Sequence, residues 1–357
     1  MTVDSPAPPP PHDPPLPAIL TYPSSFASSS SDAAAPDPGP PPPTLVAQGA
    51  EACLYRTTFV SPSLPCALKY RPPKAWRHPA LDARLTRHRI LAEARVLARC
   101  RREGVPVPAL YAVDEAAGWL AAEWIDGPPA RVAINRWLAR RAPKSRRKGG
   151  RIPAEEGDAA DKEDEGDNDD RAEPEDAAPI TGADPEDKPL VELLQRIASA
   201  VGRLHKAGVV HGDLTTSNMM LRPRTSKATP TPNPSPSTST TPQAAKDGID
   251  KQNIAAAAAD DDAATLLEGD VVLIDFGLAS QGTGSGSGAG AGAGSDEDRA
   301  VDLYVLERAF ASTHSRAEAL FAAVLESAYA ASYPGARAVL RKLDEVRMRG
   351  RKRSMVG

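Results

Sequence analysis

His211-Gly212-Asp213-Leu214-Thr215-Thr216-Ser217-Asn218 is the stretch on which the fold turns, and Asp275-Phe276-Gly277 lies downstream of it. Phosphoryl transfer asks little covalent work of a protein. It needs a carboxylate to orient the attacking oxygen and groups that neutralise phosphate charge. His-x-Asp-x4-Asn has the spacing of a kinase catalytic loop, which makes Asp213 the candidate to accept or orient the acceptor proton and Asn218 a candidate magnesium ligand. Asp275 follows Val271-Val272-Leu273-Ile274, a short run of buried-strand type, where the second metal-binding carboxylate belongs. Either motif alone occurs by chance in many chains. In this order and these local settings, the two together predict an ATP-using phosphotransferase of the protein-kinase fold.

Upstream, Cys66-Ala67-Leu68-Lys69 sits where the strand carrying the phosphate-binding lysine belongs, so Lys69 is the candidate for the α- and β-phosphates. Leu81 to Arg102 has helical composition, with Ile90, Ala94 and Leu97 on one face. Glu93 on that helix is the candidate ion-pair partner of Lys69. A solvated surface glutamate is the competing reading, and the helix directly after the lysine strand favours the pair.

Four departures from ordinary protein kinases stand out. Gln48-Gly49-Ala50-Glu51-Ala52 occupies the place of the glycine-rich loop with one glycine. Gly212 replaces the arginine before the catalytic aspartate, and Thr215 replaces the lysine two residues after it. No Ala-Pro-Glu segment follows Asp275-Phe276-Gly277. These absences weaken the case for an efficient kinase of peptide substrates.

The rest of the chain alternates periodic and low-complexity stretches. Its 357 residues include 37 prolines and 26 glycines, clustered, with only 4% aromatics; such stretches bury too little apolar surface to offset their ordering entropy. Residues 1–42 are proline-rich. Residues 143–188 turn from basic to acidic, 223–268 are Thr/Pro/Ser-rich and then Ala/Asp-rich, and 280–295 are nearly pure Gly/Ser/Ala. All four are expected to be unstructured, the last three as loop inserts, which a fold tolerates because closure entropy grows slowly with length. Leu45 to Val60, Ser63 to Tyr70 and Trp119 to Ile125 read as strands. Leu190, Leu194, Ile197, Val201 and Leu204 mark an amphipathic helix ending at Gly208, and residues 298–346 supply about three helices. The order predicts an α+β, bilobal kinase-like fold, with a small sheet-rich N-lobe (43–126) and a reduced helical C-lobe (127–357).

Net charge is −4, yet Ala154 to Lys188 alone holds sixteen acidic against three basic side chains. The remainder is thus moderately basic and suits an anion such as ATP or RNA, or simply a solvated Lys/Arg surface. Cys53, Cys66 and Cys100 are too few and too scattered for a disulfide framework or a metal knuckle, as in a reduced intracellular protein. No apolar run is long enough to span a bilayer, and the N-terminus lacks signal-peptide order. Cytoplasm or nucleus, with no membrane partner, is the expectation.

Further motifs carry a family resemblance. Gln48–Ala52, Lys69-Tyr70-Arg71-Pro72, Trp76-Arg77-His78-Pro79 and His211–Asn218 resemble the small atypical serine/threonine kinase of the EKC/KEOPS complex, the PRPK-type family. So do Ile274–Leu278, Val301–Ala309 and the ending Arg347–Gly357. The resemblance covers nearly all of the periodic stretches and none of the inserts. It implies ATP and Mg2+ as cofactors, with Gln48, Gly49, Ala50, Glu51 and Glu123 joining Lys69, Asn218 and Asp275 around the nucleotide, and autophosphorylation together with ATPase activity. It also implies a complex that makes threonylcarbamoyladenosine in tRNA, with a threonylcarbamoyl-transferase-like subunit and a small regulatory subunit as partners and tRNA met through the complex. Fungal members are further linked to telomere maintenance and transcription. In the resemblance Asp302 braces the catalytic loop, and the basic tail Arg347–Arg353 reaches toward the active site or tRNA; a solvated terminus or nuclear-localisation patch explains that tail equally well. His205 and His314 read as structural and Trp137 as core.

Two other functions compete. Aminoglycoside-type small-molecule kinases share His-Gly-Asp before the Asn but need a larger helical C-lobe than the residues after Ser295 supply. A pseudokinase scaffold has no need of Lys69, Glu93, Asp213, Asn218 and Asp275 all together.

Overall fold

The computed structural model describes residues 17–21, 42–141, 178–224, 265–281 and 295–354. In chain order the elements are α1 (Ala18–Thr21), β1 (Thr44–Gln48), β2 (Cys53–Phe59), β3 (Ser61–Tyr70), α2 (Pro79–Arg102), β4 (Leu110–Asp114), β5 (Trp119–Glu123) and α3 (Ala130–Arg140). There follow α4 (Lys188–Lys206), β6 (Val209–Val210), β7 (Met219–Arg222), β8 (Asp270–Leu273), β9 (Ser280–Gln281), α5 (Asp296–Thr313), α6 (Glu318–Ala330) and α7 (Ala336–Ser354). The fold is α+β: a five-stranded antiparallel sheet in the order β1-β2-β3-β5-β4, then a largely helical half.

Strand alternation sorts the sheet's two faces. Cys66, Leu68 and Tyr70 of β3 join Cys53, Tyr55, Trp119 and Ala121 in a core on one face. Leu120 and Ala122 of β5 point the other way and meet Ile90 of α2. Lys69 pairs with Leu120 in the ladder, so it shares the face that α2 covers. Parity alone therefore sends the Lys69 side chain toward α2.

The helical half centres on α4, whose Leu190, Leu193, Leu194, Ile197, Ala198 and Val201 are wholly buried. It packs against α6, while α5 packs against α7. Trp137 of α3 is buried in the same core, as its position in the sequence suggested. No helix among the described residues is long and apolar enough to cross a membrane.

All four stretches read as structureless carry structure where they are described: a 3-10 turn at Thr265–Leu267 lies within 223–268, and β9 opens 280–295 by pairing with β6. Within 1–42, Leu20 of α1 packs against the core that holds Cys53 and Tyr55. Within 143–188, a 3-10 turn at Pro185–Asp187 leads into α4. There Arg141 bonds Asp184 (3.1 Å), Asp187 (2.7 Å) and Glu186. Composition placed these acids in an unstructured insert, because an arginine partner more than forty residues away leaves no local trace. Most of the expected inserts lie outside the described residues.

Candidate active site

The hairpin of β7 and β8 sets the lower half of the site. Met219 pairs with Leu273, and the Ile274 amide donates to the Asn218 carbonyl at 3.0 Å. That register brings Asn218, just before β7, alongside the segment leading into Asp275. Asn218 Nδ2 donates to Asp213 Oδ2 (3.1 Å) and to its carbonyl (2.9 Å). Asp275 adopts φ 58°, a left-handed conformation that a short polar side chain tolerates.

Behind it, buried polar groups hold the catalytic loop. Asp302 of α5, 2% exposed, accepts from the main-chain amides of His211 (2.5 Å) and Gly212 (2.9 Å). His205 Nε2 lies 3.3 Å from the same carboxylate, and its Nδ1 lies 2.7 Å from the Tyr329 hydroxyl. His211 Nδ1 accepts from the Asp213 amide at 3.3 Å, which leaves Nε2–H to donate to the Ile274 carbonyl at 3.0 Å. The imidazole thus ties the catalytic loop to the strand before Asp275. His314 adds a second brace: its Nε2 is 3.0 Å from Thr216 Oγ1 and its Nδ1 2.7 Å from Asn135 Oδ1. Burial, with Arg131 adding to it, pushes the His314 pKa down to about 3. Burial also lowers that of His205, despite the opposing pull of Asp302.

Gly212 has a steric reason. Its φ is 81°, and a Cβ there would lie 2.4 Å from the Leu278 carbonyl oxygen. Any side chain, the usual arginine included, would collide with the backbone just after Asp275-Phe276-Gly277.

From above, Lys69 Nζ reaches Glu93 Oε1 and Asp275 Oδ1, both at 2.7 Å. Burial pushes the Asp275 carboxyl up, but the Lys69 ammonium and the Gly277 amide outweigh it and hold it below the usual range. Arg71, buried, lies 3.6 Å from Glu93 Oε2. Sequence reading quoted Arg71 within a motif but gave it no role. The signal was present, since residues two apart at a strand end share a face.

The remaining expected nucleotide contacts are tethered. Glu51 is bonded by Arg77 (2.8 Å) and Arg89 (2.7 Å), and Lys74 donates to the Ala50 carbonyl (2.7 Å). Gln48 ends β1, and the Gly49 amide closes the loop on the Ala52 carbonyl at 2.9 Å. Glu123 accepts from Arg222 Nη2 (2.7 Å) and from the Ala109 amide (3.0 Å), so both carboxylate oxygens already serve the scaffold. In the tail, Arg347 bonds Glu307, and Arg349 lies 2.7 Å from Glu297. Those two tail arginines spend their charge on α5, while residues 355–357 lie outside the described ones.

The donor set suits magnesium. One carboxylate (Asp275, half exposed) and one amide oxygen (Asn218, whose bonds run through Nδ2) match the few hard oxygen ligands this ion takes beside phosphates and water.

A model of the phosphotransferase enzyme family (APH) matches residues 76–229. The EKC/KEOPS complex subunit BUD32 of Chaetomium globosum is 49% identical over 343 residues, covering 96% of this chain and 97% of that protein. Its counterpart in Gibberella zeae is 44% identical over 346 residues, covering 97% of this chain and 94% of that one. Among solved structures, WaaP in complex with acyl carrier protein superposes with a TM-score of 0.43 at 14% identity, over 87% of this chain and 88% of that one. The chain belongs to the EKC/KEOPS complex subunit BUD32 family.

Proposed function

We propose that this member of the BUD32 family is the ATP-using kinase subunit of an EKC/KEOPS assembly, working beside a threonylcarbamoyl-transferase-like subunit to support threonylcarbamoyladenosine formation in tRNA. The observation that carries the reading is the junction at Lys69 Nζ, 2.7 Å from both Glu93 and Asp275. One ammonium joins sheet, helix and metal-binding loop at the point where a triphosphate would lie.

Each residue then has a task. Asp213, exposed and held by Asn218 Nδ2, orients the attacking hydroxyl or water and draws off its proton. Asn218 Oδ1 and the Asp275 carboxylate would hold magnesium, which would supply charge neutralisation at the phosphates. Lys69 grips the α- and β-phosphates, and Glu93 keeps it aimed. The γ-phosphoryl passes from the departing ADP oxygen to the acceptor oxygen. With a water acceptor the cycle is ATP hydrolysis; with a serine or threonine hydroxyl it is protein phosphorylation. A small-molecule acceptor is disfavoured, because α5 to α7 pack against one another and α4 and do not form an acceptor domain.

Reconstitution tests this. The transferase-like subunit and tRNA are assayed for threonylcarbamoyladenosine with wild-type chain, with Asp213→Ala and with no added chain. The proposal expects product with wild type and, for Asp213→Ala, the level seen without the chain. Equal product from Asp213→Ala and wild type would reject the ATP-driven role.

A further inference from the structure

We propose that Arg71 is a second cation of the phosphate-binding centre. It neutralises Glu93 so that Lys69 meets the nucleotide with its charge unspent. The proposal rests on the ATP-site reading above and adds a residue that the reading does not use.

Arg71 follows directly on β3, two residues after Lys69, and its side chain is 7% exposed. Its amide is fixed to the Gly118 carbonyl at 2.8 Å. The guanidinium faces Glu93 Oε2 at 3.6 Å, while Lys69 holds Oε1 of the same carboxylate at 2.7 Å. Neither Arg71 Nε nor Glu93 Oε2 has a hydrogen-bond partner. Glu93 Oε2 therefore has the Arg71 guanidinium as its charged neighbour, while Oε1 serves Lys69.

Gly277 shows how tightly these charges converge. A Cβ at that glycine would lie 3.2 Å from Arg71 Nη2, 3.2 Å from Asp275 Oδ1 and 3.5 Å from Lys69 Nζ. Arg71 thus converges with Lys69 and Asp275 on one point beside Gly277.

Charge bookkeeping supplies the role. Lys69 and Arg71 balance Glu93 and Asp275, so the cluster is neutral without ligand. Once Asp275 is given over to a divalent ion, Lys69, Arg71 and Glu93 leave one net positive charge for the triphosphate. Without Arg71, Lys69 and Glu93 would cancel. The loop above the site has one glycine, Gly49, and that amide is already bonded to the Ala52 carbonyl. A loop with a single glycine has less backbone freedom to wrap its amides around phosphate than a glycine-rich one. A buried guanidinium, always charged, makes up the deficit.

The test compares MgATP with adenosine by calorimetric titration of the full chain. These ligands share the base and ribose and differ in the phosphates. Arg71→Met should weaken MgATP about tenfold, leaving adenosine within about twofold. Arg71→Lys should stay near wild type for both. Arg71→Gln, neutral but polar and of similar length, should behave as Arg71→Met does and answers the question if that variant fails to fold. MgATP binding unchanged in both neutral variants, or equal weakening of MgATP and adenosine, would overturn the proposal. Wild-type chain that does not prefer MgATP over adenosine would instead sink the ATP-site reading itself.

Discussion

The two loops that meet at the site are held by opposite means. The lower one, His211–Asn218, is fixed from behind by wholly buried polar groups: Asp302 on two main-chain amides, His205 and Tyr329 behind Asp302, and His314 on Thr216. The upper one, Gln48–Ala52, is held by Glu51 between Arg77 and Arg89, in a setting that water reaches. A buried hydrogen bond is modest when made and expensive when one partner is lost. An exposed ion pair is weak and yields to salt. His211–Asn218 is therefore built to stay in place, and Gln48–Ala52 to yield more readily.

The largest test of that contrast is Asp302→Ala. It strands the buried amides of His211 and Gly212, and should cost about 3 kcal/mol or more of stability along with most phosphotransfer activity. Chemical denaturation and a turnover assay on the same sample would check it. A small loss would mean the loop is held elsewhere.

Gly212→Ala should come next. The Cβ lies 2.4 Å from a carbonyl oxygen in a left-handed conformation, so the backbone between Asp213 and Asp275 must shift. Activity should fall about a hundredfold, since displacements near 1 Å cost that much in positioned chemistry. The melting temperature should move only modestly. Wild-type turnover would contradict the close approach.

Acid titration probes the buried brace of the lower loop. His205 and His314 are held neutral in the fold, so below about pH 6.5 the unfolded chain takes up protons that the folded chain refuses. Stability then falls with pH by up to about 1.4 kcal/mol per unit for each buried histidine. For His314 this continues until about pH 3, where the folded imidazole itself titrates. Asp275, lowered in the fold, acts in the same direction: its contribution is present above the unfolded carboxylate range and is lost as pH drops through its folded value. Melting curves between pH 7 and 4 should show the slope, and His314→Gln should flatten it. An unchanged slope in that variant would remove His314 from the brace.

The smallest effect belongs to the upper loop. Glu51→Gln should raise the ATP KM about threefold at low salt with kcat nearly constant, and the difference should fade toward 1 M salt. A salt-independent loss would show that Glu51 contacts the nucleotide rather than the arginines.

How far the sequence could be read follows from the same physics. Asp213, Asn218, Lys69, Glu93 and Asp275 could be singled out because the tasks of a kinase site would impose fixed spacing on single loops, strands or helices. The structure puts Lys69, Glu93 and Asp275 in one junction and Asp213 with Asn218 in another. Asp302 was visible only through resemblance, since one acid on a helix says nothing of the amides it will meet. The link from His314 to Thr216 and the Arg141 cluster join residues far apart in the chain and leave no periodic signature. Helix α3 was readable but missed: Ala130, Ala133, Ile134, Trp137 and Leu138 follow helical spacing and are all buried. Glu123, grouped with the nucleotide by resemblance, gave no sign in the sequence that its carboxylate would bond Arg222 and the Ala109 amide.

The most direct test of the account is single-turnover release or transfer of the γ-phosphoryl from radiolabelled MgATP by the purified chain. Wild type is compared with Asp213→Asn and Asp275→Asn, each checked for an unchanged melting profile. The account predicts loss of at least about a hundredfold in both variants, with nucleotide affinity weakened mainly in Asp275→Asn. Turnover that survives both substitutions would place the chemistry elsewhere and contradict the assignment of this site.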